Sequence, residues 1–572
     1  MDHPRRQTSR TCLVWVIACL LPALHAAIAQ DKFTRTRNWT EGKAHYEARL
    51  RDFASSRSVR DAGKLSELFD AYNRCRYFAL VEKVDGLRDP FVDWLLAHPD
   101  FTARLLSSFA PEDAPEECLE VVRSLRSAFG SQIVDVGNLV IAFAIVWDRD
   151  IDAKASRGES FGYYYKNRKV MRSDFEKTPY ELLKHIANTT VSIQERMWAL
   201  KTYHARARKT AELGRIFFDV RWRPTYFVGG ESKKPHLAYT LQNILKYGGV
   251  CADQAYFAAN VVKSFGIPAE VFSGFGMRGG HAWIGCVKRD PTGTPYWDLG
   301  TARYSYDRYY TGYAIDPQTG KQITDHDVAS DCRTWALPRE KIEACKHYVE
   351  LSRLVDPEVQ DEKGMALVDL ALKVNPRARV AWDRMAEYCK AGVAGAKKTN
   401  KMFEFLLTAF PKHPDFSFNA FGKFIEVVPR DKVKKRMSLY DALFRLYSKR
   451  PDLAVGVRQL QGKYLMEQDR TKEAFRLYRR TIARFMKHGN LVGDLAPAVA
   501  DDYLAEGQPD KAIAMLEGIL RYSHKPADYD PFAESSLYVR LKLKLKELYE
   551  AMGRREQAEK VAKEVEPYLR KK

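Results

Sequence analysis

The residue best placed to do chemistry in this chain is a cysteine behind two glycines. It stands in Gly248-Gly249-Val250-Cys251-Ala252-Asp253-Gln254-Ala255, and the residues beyond it have helical spacing. Tyr256, Ala259, Val262 and Phe265 hold one face before Gly266-Ile267-Pro268 ends the run. Cys251 therefore falls at a helix N-terminus, where the macrodipole favours an anion and is expected to lower the thiol pKa. A thiolate is a nucleophile, and it needs a base. His281 opens the strand-like run His281-Ala282-Trp283-Ile284-Gly285-Cys286-Val287, thirty residues after Cys251. Asp298, within Trp297-Asp298-Leu299, is the expected third member, a carboxylate that would hold the imidazole tautomer and stabilise the imidazolium. Direct opposition of Asp298 and His281 needs a turn centred near 289–290. The turn signal Asp290-Pro291-Thr292-Gly293 lies slightly later, so a bulge or skewed pairing is expected to absorb the difference.

Acyl transfer also needs an oxyanion hole. The Cys251 amide is one donor, and Gln242 on the preceding helix is the candidate for the other. Asp253 reads as a first-turn carboxylate that favours the helix rather than as a catalytic acid. Cys286 falls on the opposite face of its strand from His281 by parity and is assigned to the core. The chain has no CxxC pair, metal-ligand spacing or phosphate loop, so neither a cofactor nor a metal is expected. His326, between Asp325 and Asp327, is read as part of a solvated loop.

Taken in order, GGVCADQA, GIPAEVFSG, GGHAW and YWDLG resemble the core of the transglutaminase-like superfamily, across residues 225 to 325. That superfamily includes transglutaminases, peptide N-glycanases and cysteine-protease-like bacterial domains. The resemblance implies a papain-like triad of Cys251, His281 and Asp298, with the thiolate attacking an amide carbonyl. The resulting thioester would pass to an amine, which crosslinks, or to water, which hydrolyses. In the family the Asp usually lies a few residues past a Trp, whereas Asp298 directly follows Trp297, so Asp307 is the fallback.

The elements that must position these residues are read from the rest of the chain. Its 572 residues, 45% hydrophobic and 12% aromatic, are enough for several cores and too apolar for a disordered chain. Residues 1–29 read as an export signal: Arg5, Arg6 and Arg10 precede the apolar run Cys12 to Leu24, and Ala27-Ile28-Ala29 suits cleavage. No other segment is apolar enough to span a membrane, so a cell-envelope or extracellular location is expected. Removing Cys12 and Cys19 with the signal leaves Cys75, Cys118, Cys251, Cys286, Cys332, Cys345 and Cys389, an odd set in which at least one thiol cannot pair within the chain.

Residues 30–200 read as helical, with Asn138 to Trp147 a buried helix and Asp148 to Gly162 a surface loop. Residues 201–335 are Gly-, Tyr- and Trp-rich, with repeated turn signals, and read as a mixed α and β domain. Residues 336–572 return to helices. Tyr503 to Ala512 and Tyr549 to Ala558 share the spacing of a helix, a Gly turn and a second helix with a close-packing Ala, and Leu465 to Ala474 approximates it. Leu372 to Tyr388 has a matching junction, and together these segments resemble degenerate tetratricopeptide-type hairpins.

The expectation is thus an α+β multidomain protein, with a transglutaminase-like core flanked by an N-terminal helical region and a C-terminal tetratricopeptide-like array. Its expected function is thiol acyl chemistry on a peptide or protein substrate. The rival is a non-catalytic scaffold whose helical array binds a partner protein and whose triad domain is inactive. The net charge of +20 is spread over all helical regions, so solvated faces rather than specific nucleic-acid binding account for it.

Overall fold

The computed structural model describes residues 31–81, 90–207, 210–276, 279–304, 310–410, 414–426, 428–526 and 533–569. The signal-like segment 1–29 and Asp307 lie outside them. The molecule is a helix-rich α+β assembly with one small antiparallel sheet.

The N-terminal region is helical. Trp39–Ser55 (α1) packs against Ala62–Val81 (α2), whose Leu65, Leu68, Phe69 and Tyr72 are buried as their spacing requires. Gly137–Ala144 (α3) is buried at every residue, in keeping with its unbroken apolar sequence. The expected loop over 148–162 is shorter than its composition suggests, because a helix begins at Arg157. Ser156 caps it: its hydroxyl accepts from the Glu159 amide, and the Glu159 carboxylate accepts from the Ser156 amide at 2.8 Å. Phe161, Tyr163 and Tyr164 bury the helix face, so the cap and the aromatic stripe outweigh the charged residues around them.

The mixed domain starts with two short paired strands, Phe227–Val228 (β1) and Glu231–Ser232 (β2). Helices Leu241–Tyr247 (α4) and Cys251–Ser264 (α5) follow. Strands Ala269–Gly276 (β3), Gly279–Arg289 (β4), Pro295–Asp298 (β5), Tyr313–Ile315 (β6) and Gln322–Thr324 (β7) form an antiparallel sheet of order β5-β4-β3-β6-β7. Asp325–Trp335 (α6) closes the domain. α5 packs on β3 and β4, and Ala255, Phe257, Val261, Phe272, Trp283 and Ile284 fill the core. Gly274 pairs with His281 across β3 and β4, and Cys286 pairs with Asp298 across β4 and β5.

The helices Arg339–Val355 (α7), Glu362–Val374 (α8) and Arg379–Lys390 (α9) come next. Their side chains, and those as far as Ala420, share one core with residues 33–187. His347 of α7 stacks on Phe69 of α2 at 4.8 Å, and the Tyr348 hydroxyl donates to the Val59 carbonyl at 2.9 Å. The expected single array over 336–572 therefore divides, because its first helices complete the N-terminal core. Local periodicity shows which face is apolar but not which distant helix covers it.

A separate core runs from Ile425 to Leu548. Pro414–Ile425 (α10), Val433–Leu446 (α11), Pro451–Glu467 (α12), Thr471–Phe485 (α13) and Gly489–Gly493 (α14) are followed by Ala496–Ala505 (α15), Pro509–Leu520 (α16), Leu537–Ala551 (α17) and Arg555–Val565 (α18). The expected hairpins are α12–α13, α15–α16 and α17–α18, with Ala474, Ala512 and Ala558 buried between partners. Their turns place Asp469, Gly507 and Gly553 at φ of 57°, 70° and 68°. His326 is not in a solvated loop. It sits in the first turn of α6 with its Nε2 at 3.0 Å from Asp415, and Asp415 also accepts from Thr311 at 2.6 Å and Arg450 at 2.9 Å. With the Asn490 side chain donating to the Gly276 carbonyl, these contacts join the array to the mixed domain. No helix among the described residues is long and apolar enough to cross a membrane.

Candidate active site

Cys251 is the first residue of α5, as its sequence setting requires. Gly248 has φ +83°, and a Cβ there would lie 2.4 Å from the Arg221 carbonyl oxygen. A Cβ on Gly249 would lie 2.6 Å from that of Asp253. Both glycines are therefore needed for the chain to turn into the helix. The Gly249 amide donates to the Arg221 carbonyl at 3.1 Å, and its carbonyl accepts from the Arg223 amide at 2.8 Å. Asp253 fastens the other side. Fully buried, it accepts from Val250, Gly229 and Gly230 amides at 2.9, 3.2 and 2.9 Å and from the Tyr239 hydroxyl at 2.8 Å. It is the first-turn carboxylate expected, and it also clamps the Gly229-Gly230 loop against the helix start.

The thiol is half-buried, and the backbone amide of Ala282 lies near enough to its sulfur to favour the thiolate. That amide belongs to the peptide joining His281 to Ala282, so the sulfur rests against the base's own backbone. Burial pushes the Cys251 thiol above its ordinary value, against the lowering effect of the Ala282 and Ala252 amides and together with the Asp253 charge. The expected lowering by the helix N-terminus is thus outweighed by desolvation.

His281 is buried on β4 between aromatic rings, stacked on Tyr304 at 4.8 Å and on Trp283 at 6.0 Å, with the edge of Phe217 at 6.3 Å. Its Nε2 lies 2.6 Å from the Ala302 carbonyl oxygen. A carbonyl can only accept, so Nε2 carries a proton, and this contact selects the tautomer whose neutral form has its lone pair on Nδ1. Ala302 and Tyr304 take φ of 61° and 52°, the left-handed region, to present that carbonyl and that ring.

Asp298 is not beside the imidazole. The turn closes where its residues say it should: the Asp290 amide donates to the Thr294 carbonyl and the Gly293 amide to the Asp290 carbonyl, both at 2.9 Å. With no bulge to shift it, Asp298 falls opposite Cys286, five residues along β4 from His281, a backbone offset of about 17 Å at strand rise. Its carboxylate pairs with Lys288 and accepts from the Gly300 amide and the Thr301 hydroxyl, each at 3.1 Å. Burial would raise its pKa, but the hydrogen bonds from Lys288, Gly300 and Thr301 bring it below the ordinary value. Asp298 thus holds the turn that leads to Ala302, one step removed from His281.

Gln242 lies half-buried on α4, which packs on α5, and no hydrogen bond ties it to Cys251 among the described residues. All seven described cysteines are free thiols, and Cys251 alone among them is not buried. Cys286 is in the core, its thiol pushed up to about 12 by burial. Among the described residues, no group of His, Cys, Asp or Glu side chains is arranged to hold a metal ion. The roles of Ala302 and Tyr304 were not legible in the sequence, since a backbone carbonyl has no residue signature. The only hint was the Asp298-Leu299-Gly300 turn pattern.

Compared with models of known protein families and with curated proteins, the chain matches none.

Proposed function

We propose that this is an exported thiol enzyme of the transglutaminase-like type, acting on amide or peptide bonds through a Cys251 thioester. The observation that supports it most is the approach of the His281–Ala282 peptide amide to the Cys251 sulfur, together with the contact of His281 Nε2 with Ala302. In this reading the dyad rests neutral. As sulfur bonds to the substrate carbonyl carbon, the thiol proton passes to Nδ1 of His281 and the carbonyl π pair moves onto oxygen. The tetrahedral intermediate then collapses, the C–N bond breaks, and the Nδ1 proton leaves with the amine. Water or an acceptor amine next attacks the thioester, gives its proton to Nδ1, and the sulfur leaves as the thiol. The Cys251 amide at the start of α5 is the natural donor to the oxyanion, with Gln242 the second candidate.

Three exposed aromatics flank these residues and would contact a substrate: Phe218 (51%), Trp222 (44%) and Phe275 (78%). The scaffold reading draws on one specific observation, the separation of Asp298 from His281. The deciding experiment is turnover on glutamine-containing and peptide substrates, following released ammonia or new termini. Activity lost in Cys251→Ala and His281→Ala with the fold retained supports the enzyme. Activity retained in Cys251→Ala would overturn it.

A further inference from the structure

Outside the thiol site, a groove of about 610 Å³ opens between α11, α12 and α13. Five arginines line it: Arg445, Arg458, Arg476, Arg480 and Arg484. Only two carboxylates face them, and both already have partners. Asp441 pairs with Arg458 at 2.6 Å, and Glu473 takes both arms of Arg470 at 2.7 Å. Among the described residues, no carboxylate pairs with Arg445, Arg476, Arg480 or Arg484, and all four are exposed. The last three recur every fourth residue along α13, so like charges stack on one helix face, an arrangement that costs stability when nothing answers it. Apolar side chains lie beneath and between them. The Phe444 ring lies under the Arg458 guanidinium at 3.7 Å and the Arg484 guanidinium at 4.9 Å, with Leu465 and Leu477 alongside.

We propose that this groove binds an acidic peptide segment of a partner protein, one carrying several Asp or Glu side chains interleaved with apolar ones. The guanidinium forks suit carboxylates bidentately. Residues four apart on a helix stand about 6 Å along its axis, and same-side residues of an extended peptide recur at about 6.6 Å, so successive carboxylates can meet successive arginines. Half-buried Met437 and Leu477, which also line the groove, give the intervening side chains an apolar surface that a bare polyanion would leave uncovered. A bilayer surface is flat and cannot follow arginines into a concave groove. The inference stands whether or not Cys251 is catalytic.

The test uses the full chain and a fluorescein-labelled ten-residue peptide of alternating Glu and Leu, followed by anisotropy. A counterpart with Gln in place of Glu is run beside it. The Glu peptide is expected to bind and the Gln peptide not. Affinity should fall as salt rises from about 0.05 to about 0.5 M. Arg476→Ala/Arg480→Ala should weaken binding about tenfold or more, with its thermal melt not lowered, because both side chains are exposed and their removal relieves like-charge stacking. Arg554→Ala, in another hairpin, should bind as the parent does. Equal binding of the Gln peptide, equal binding by the double variant, or an equal loss in Arg554→Ala would each overturn the proposal. So would groove-dependent binding of phosphatidylglycerol vesicles or single-stranded nucleic acid without binding of the peptide.

Discussion

The Nε2 of His281 donates to the carbonyl oxygen of Ala302 at 2.6 Å, so a backbone carbonyl orients the imidazole. Ala302 reaches that position through a left-handed φ of 61°, and Asp298 holds the turn before it through Gly300 and Thr301. The carboxylate therefore touches the imidazole only through the backbone, and in the proposed chemistry it would be a positioning residue.

Asp298→Ala should destabilise the protein by about 2–3 kcal/mol, since it removes a turn anchor and an ion-pair partner of the largely buried Lys288 ammonium. If the thiol chemistry proceeds as proposed, kcat should fall more than KM rises, and Asp298→Asn should restore part of kcat by re-forming the turn. The acid dependence has a definite sign. A carboxyl held below its ordinary value stabilises the fold above that value, and the contribution disappears as pH falls through the lower folded value. Urea melts in the acid range should show that loss in the parent and not in Asp298→Ala.

Burial holds the Cys251 thiol above its ordinary value of 9.0, so native alkylation should accelerate only at alkaline pH, without a plateau near neutrality. The other described cysteines are buried, with Cys75, Cys332 and Cys345 pushed up to about 12. Iodoacetamide on the folded protein should therefore modify Cys251 first, as read by peptide mass spectrometry. Full reaction at neutral pH would show a resting thiolate–imidazolium pair in place of the neutral dyad.

Gly248 and Gly507 both have positive φ, but only Gly248 is crowded. A Cβ at Gly248 meets the Arg221 carbonyl at 2.4 Å, whereas one at Gly507 meets nothing within 4 Å. Gly248→Ala should cost about 2–4 kcal/mol, from strain plus displaced backbone, and Gly507→Ala about 1 kcal/mol, from strain alone. Equal losses in chemical denaturation would mean that the turn into α5 relaxes freely.

What could be read in advance follows the range of the interaction. Gly507 and Gly553 mark their hairpins because a left-handed turn is a local demand that glycine meets best. Cys251 is legible for the same reason, since two glycines and a helical stripe sit within twenty residues. The Asp290–Gly293 turn held the correct register, and it was the expected pairing of Asp298 with His281 that had to yield. Ala302 was hidden because its contribution is a carbonyl. The sharing of one core by His347 and Phe69 depends on helices more than 250 residues apart, which no local pattern specifies.

That last contact also has a pH signature. His347 is buried against Phe69, with Nδ1 at 3.1 Å from the Ser66 hydroxyl and Nε2 without a hydrogen-bond partner among the described residues. Burial, reinforced by the Lys346 and Arg339 charges, lowers its pKa from 6.5 to about 3. Between those values the unfolded chain binds a proton that the folded chain refuses, so this residue makes stability rise with pH, by about 1.4 kcal/mol per unit at most. Asp70, also on α2, works the other way: burial and the Glu343 charge raise it from 3.8 to about 7, so its folded form holds a proton that the unfolded chain releases. The two slopes oppose each other, and the parent should vary little between about pH 4 and 6.5 from this pair. His347→Phe keeps a ring on Phe69 and removes one slope, so its stability relative to the parent should increase as pH falls. Asp70→Asn should do the opposite and sharpen acid sensitivity. Urea melts at several pH values across that window measure both, and parallel pH profiles for the parent and His347→Phe would mean that His347 takes up its proton inside the folded protein.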